Sequence, residues 1–122
     1  MAQRIRWINH RGVRILVNDY NGLLGKKLIE QIDLCVLFIK QSKKNDILLL
    51  IDVYNVEVSK ESQLKFAEAA KQVKEYCNKI AIIGLTPVKR NIVTIINKIT
   101  GLGAVGMKTD IIAKNWLVSN VK

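Results

Sequence analysis

A chain of 122 residues, 49% hydrophobic and 25% charged, is long enough to bury its own core and has the composition of an ordinary soluble globule. This excludes a disordered, fibrous or disulfide-dependent chain, and the longest apolar run falls far short of the ~20 residues that span a bilayer. The net charge of +10 is concentrated at the ends: residues 1–14 carry four Arg and no acid, and residues 80–122 carry five Lys and one Arg against Asp110. If the fold joins those ends, they form a basic face suited to anionic lipid, an acidic protein surface or nucleic acid.

In chain order, Arg4 to Asn9 and Val13 to Asn18 are short runs rich in β-branched and aromatic residues, separated by His10-Arg11-Gly12, so they read as an antiparallel hairpin. From Gly22 to about Gln41, Leu28, Ile32, Cys35, Val36 and Ile39 repeat with helical spacing. Asp46 to Val53 contains five consecutive apolar residues, which on a strand must be covered on both sheet faces. Ser59 to about Tyr76 has a second helical stripe at Leu64, Ala67, Ala70, Val73 and Cys77, and Lys79 to Leu85 is another apolar strand. The intervening helix supplies the crossover that joins that pair as parallel strands.

Thr86-Pro87 has the pattern of an N-cap followed by proline at the first helical position, and Gly101 sits where a left-handed C-terminal cap belongs, so residues 87–100 form a third helix. Ala104 to Met107 is a brief strand, and Thr109 caps a last helix carrying Ile111, Ile112, Trp116 and Leu117. The expected fold is a single α/β domain over residues 1–122. Its mixed sheet opens with an antiparallel hairpin and continues in parallel strands joined by crossover helices, in the order ββαβαβαβα.

Chemistry-bearing patterns are sparse. Gly101-Leu102-Gly103-Ala104-Val105-Gly106 matches G-x-G-x-x-G, yet a helix enters it and a strand leaves it, the reverse of a dinucleotide site. His10 and two cysteines 42 residues apart (Cys35 and Cys77) form neither a metal set nor a nucleophilic triad, and the cysteines read as buried, reduced thiols. Asp19 and Asp52 end neighbouring strands and read as turn-forming aspartates, with an acid pair as the alternative. No catalytic residue, metal site or cofactor is expected.

Ligands of open α/β sheets bind at the carboxyl ends of the strands, which points to Asp52, Tyr54, Asn55, Gly84, Thr86, Lys89 and Arg90. Lys89 and Arg90 place positive charge on a first helical turn whose dipole is already positive, a conflict that a bound phosphate or lipid headgroup relieves. The helix they begin is apolar over more than one stripe, at Ile92, Val93, Ile95, Ile96 and Ile99. Its excess apolar face is either buried in the core or docked on a membrane surface.

The element order, with the run from Leu48 to Val53 followed by a short connection and the helix from Ser59, resembles the STAS domains, most nearly their SpoIIAA-like branch. The likeness spans Ile5 to Leu117 and rests on hydrophobic pattern more than on a motif. It implies a non-enzymatic regulatory or interaction domain of the anti-sigma-factor-antagonist type. In regulatory members an Asp-Ser-Ser-Gly-type turn leads to a phosphorylated serine at a helix start. That pattern is absent here, and only the positions of Ser59 and, less well, Ser62 carry over. An N-cap role accounts for Ser59 without phosphorylation.

The branch is also similar in fold to CRAL-TRIO lipid-binding domains, which implies an alternative: a carrier or sensor of an apolar or lipid ligand at anionic membranes. The expected partners are therefore a protein, an apolar or lipid ligand, or a second copy of the chain. Nucleic acid ranks last, because the basic residues lack interleaved aromatics. The N-terminal stretch has no apolar h-region, so the expected location is cytoplasmic, with peripheral membrane association under the lipid alternative.

Overall fold

The computed structural model describes residues 3–120. β1 (Ile5–His10) and β2 (Val13–Asp19) pair antiparallel, with His10 opposite Val13. The two residues of the turn, Arg11 and Gly12, both have positive φ (53° and 79°), the primed geometry that matches the strand twist. There follow α1 (Gly25–Ser42), β3 (Ile47–Asp52), α2 (Lys60–Val73) with a 3-10 turn to Tyr76, and β4 (Cys77–Ile83). A 3-10 turn over Pro87–Arg90 leads into α3 (Asn91–Thr100), and β5 (Val105–Met107) and α4 (Asp110–Val118) complete the chain.

The five strands lie in the order β1-β2-β3-β4-β5, with every pair after the first parallel. Leu49 faces Ile80, as the two central apolar runs require. Leu49, Ile51 and Leu16 pack beneath α1, α2 and α3, whereas Leu48, Leu50 and Ile15 point the other way, under Ala113 and Leu117 of α4. The sheet is thus covered on both faces, which is why β3 has no polar alternation until Asp52.

Three sequence expectations change. Leu64, assigned to the core stripe of α2, is 65% exposed, and the buried positions are Ser62, Phe66, Ala70 and Val73. Phe66 and Leu64 are two residues apart, hence on opposite helix faces, and the larger ring takes the core side, edge-on to Tyr20 at 5.5 Å between centroids. Cys77, assigned to the same stripe, begins β4, because its pairing with Ile47 extends the ladder two residues before the expected start at Lys79. The third helix is divided: Thr86 makes no side-chain cap, and the first four residues wind as a 3-10 turn. The caps at Ser59, Gly101 and Thr109 form as expected.

The α4 layer is fastened by Lys79. Its ammonium donates to the carbonyls of Trp116 (3.0 Å) and Ser119 (2.8 Å) and to Ser119 Oγ (3.2 Å), and lies 4.9 Å from the centre of the Trp116 ring. A cation on the last carbonyls of a helix also complements its dipole. Lys79→Met keeps the stem and removes these bonds, so the urea unfolding free energy should fall by about 2 kcal/mol. An unchanged unfolding midpoint would show that α4 is held by apolar packing alone.

Candidate functional site

Four loops meet at the carboxyl ends of the parallel strands, following β2, β3, β4 and β5. Between the segments after β3, β4 and β5 and the start of α3 lies a groove of about 800 Å³, with apolar lining that includes Leu85, Val93 and Met107. Of the residues expected from sequence, Tyr54, Asn55, Gly84, Thr86, Lys89 and Arg90 all line it. The structure adds Thr94 and Lys108. The apolar pattern does not point to Lys108 because β5 is only three residues long, yet its following loop obeys the same edge rule.

Gly84 permits the groove's shape. With φ of 88°, it lies so close to Tyr54 that a Cβ would overlap the Tyr54 backbone. Tyr54 then donates its hydroxyl to the carbonyl of Lys108 at 3.2 Å, tying the β3 and β5 loops together.

Asp52 is not part of the groove wall. Its carboxylate accepts the Tyr54 N–H at 2.9 Å, the turn-forming role that its sequence position suggests. Asp19 lies beside it in register and likewise accepts the Asn21 N–H at 2.8 Å, with Arg4 and Arg6 within ion-pair distance. Partial burial raises the Asp52 pKa, the Tyr54 N–H opposes this, and the charges of Asp19 and Asp110 add to the rise. Each acid is thus committed to its own turn. No group of three or more His, Cys, Asp or Glu that could hold a metal occurs among the described residues.

Lys89 differs from the expectation of a solvated or ligand-facing charge. It is 7% exposed, and its ammonium donates to the carbonyl of Val53 at 2.8 Å. Burial lowers its pKa, and the nearby Asp52 carboxylate opposes that shift. Lys89 therefore stitches the 3-10 turn to the end of β3, and the expected charge conflict at the helix start rests on Arg90 alone. Arg90 and Lys108 are the groove's exposed cations. Neither is ion-paired among the described residues.

The other expected features are placed as follows. Ser59 is exposed at the start of α2, with its Oγ accepting the Ser62 N–H at 3.1 Å. Ser62 is 2% exposed, and its Oγ accepts the Ser59 N–H at 2.8 Å, closing a reciprocal cap. On α3, Ile92 and Ile96 are buried, Val93 and Ile99 pack against the same core, and Ile95 is half-buried, so the wide apolar stripe faces mostly inward.

The basic chain ends do not form one face. Arg4 and Arg6 sit at the carboxyl edge beside Asp19, whereas Arg14 lies at the opposite edge, 4.6 Å over the Trp7 ring. Lys122 lies outside the described residues. Antiparallel pairing is the reason: β1 and β2 start at opposite edges and carry their arginines with them.

Two solved structures share this architecture. One is a protein of the DUF3478 family with a SpoIIAA-like fold from Shewanella loihica PV-4, with a TM-score of 0.71, 19% identity, and coverage of 93% of this chain and 91% of that one. The fold is that of the SpoIIAA-like STAS domains. The second is an anti-sigma-factor antagonist (STAS) domain protein from Planctomyces limnophilus, with a TM-score of 0.60, 15% identity, and coverage of 94% and 98%. At these identities the likeness is one of fold. No family profile matches the sequence, and no curated protein matches it. No helix among the described residues is long and apolar enough to cross a membrane.

Proposed function

We propose that this STAS-fold chain is a non-enzymatic interaction domain that binds an acidic surface of a partner protein at its carboxyl edge. The observation that carries this reading is a set of exposed large apolar side chains on the segments that follow the parallel strands, one of which, Tyr54, lines the groove. Leu24 (57% exposed) and Tyr54 (39%) lie in the loops after β2 and β3, Val88 (77%) in the 3-10 turn after β4, and Ile111 (54%) on the first turn of α4, after β5. Apolar side chains exposed at one end of the sheet, with the unpaired Arg90 and Lys108 at the same end, have the make-up of a protein-binding patch. The STAS protein from Planctomyces limnophilus, described as an anti-sigma-factor antagonist, supports the same reading by fold alone.

Ser59 supplies the means of control, since it is exposed while Ser62 is enclosed in the cap. A phosphate on Ser59 is compatible with the positive end of α2, yet adds about two negative charges beside a surface meant for an acidic partner. Phosphorylation therefore weakens the complex.

The test is site-specific photocrosslinking from position 88 in cells, followed by affinity measurement with the captured protein. Arg90→Glu with Lys108→Glu should lower that affinity at least tenfold, by about 1.4 kcal/mol or more, with the fold intact by circular dichroism. Unchanged affinity removes the groove from the interface. The lipid alternative predicts something else: sedimentation with phosphatidylserine vesicles that is lost in the same double variant. A crosslink only between two copies of this chain would make the edge a homodimer contact.

A further inference from the structure

Asn18 lies on β2, a strand flanked on both sides, and is 2% exposed. Strand alternation places it on the face of Leu16, beneath the α1–α3 layer, and not on the α4 face with Val17. Its amide oxygen is the only fully enclosed side-chain nitrogen or oxygen without a hydrogen-bond partner among the described residues. The side chain borders a cavity of about 40 Å³, otherwise walled almost entirely by apolar groups such as Ile32, Leu49, Phe66 and Ala70. Two more residues with polar groups line this space: Tyr20, whose hydroxyl lies against both Asn18 and Cys35, and Cys35.

We propose that this cavity is a binding site for one small, neutral hydrogen-bond donor, which donates to Asn18 Oδ1 and is held by the Tyr20 hydroxyl and the Cys35 thiol. An unpaired acceptor in a packed interior is destabilising, and an apolar residue of similar size would avoid the penalty, so the amide calls for an occupant. The guest must be neutral. Burial raises the pKa of both Tyr20 and Cys35, so the site holds no charge that could balance an ion.

Size narrows the class further. A water needs roughly 10–15 Å³ of such space, whereas a benzene-sized guest occupies a cavity nearer ~150 Å³. The occupant is a water or a molecule scarcely larger, such as a short alcohol. A lipid tail does not fit without parting the helices.

The test begins with the wild-type protein. A high-resolution crystal structure should show a density peak about 2.7–3.2 Å from Asn18 Oδ1. In solution, cross-relaxation between a long-lived bound molecule and the Tyr20 hydroxyl proton should be visible by NMR. An unchanged intact mass by native mass spectrometry identifies the guest as water, and an added mass identifies a co-purified small organic donor. Asn18→Leu should abolish both peak and cross-relaxation. The proposal is overturned if the cavity is dry and admits xenon, if Asn18 Oδ1 receives the Tyr20 hydroxyl directly, or if the peak persists in Asn18→Leu.

Discussion

Gly84→Ala should lower the unfolding free energy by about 3–4 kcal/mol, the largest single-site loss expected at the carboxyl edge. Two costs combine there. A φ of 88° is unfavourable for any residue with a Cβ, and the added carbon would lie 2.8 Å from Tyr54 Cα and closer still to Tyr54 N. Both neighbours are backbone, so neither can rotate away. Gly103 provides the control, because it also has positive φ (67°) but nothing within 4 Å of its Cβ position. Gly103→Ala should cost only about 1 kcal/mol in the same urea titration. Equal losses at the two positions would mean that the close approach of the β3 and β4 loops contributes nothing.

Alkaline pH should destabilise the protein through its thiols. Burial pushes Cys77 up to about 12 and Cys35 up to about 11, whereas an unfolded thiol titrates near 8.5–9. The folded chain keeps protons that the unfolded chain releases, so stability falls wherever the unfolded state binds fewer of them. The contribution is therefore fully present below about pH 8.5 and is lost as pH rises through 9 towards 12. By about pH 10.5 the loss from Cys77 alone should be about 2 kcal/mol. Urea midpoints compared between wild type and Cys77→Ala isolate the effect, since other groups titrate equally in both. Parallel pH profiles would refute it.

Much of the edge was legible because the strand ends are. The residues just beyond two apolar runs had to lie at one edge of a parallel sheet, and Tyr54, Asn55, Gly84, Thr86, Lys89 and Arg90 do line one groove there. What those side chains do was less legible. Lys89 and Arg90 are adjacent and alike in sequence, yet one is sunk against the Val53 carbonyl and the other is exposed. The difference depends on how the 3-10 turn winds, a matter of fractions of a turn that no periodicity encodes. Leu64 shows the same limit on α2, where both it and Phe66 are apolar and only the fit against Tyr20 decides which points inward.

Asn18 marks the boundary from the other side. In sequence it is a polar residue closing an apolar strand, indistinguishable from the start of a turn, while in the structure it is enclosed within the sheet. By itself the sequence determined the element order, the double-sided burial of β3 and which loops gather at the carboxyl edge. Each of these follows from runs and spacings along the chain. Only the tertiary structure decided which cations face outward, that the N-terminal arginines are divided between the two edges, and that an amide borders a cavity. Those outcomes depend on side-chain packing between segments distant in sequence, where small differences in rotation and fit determine burial.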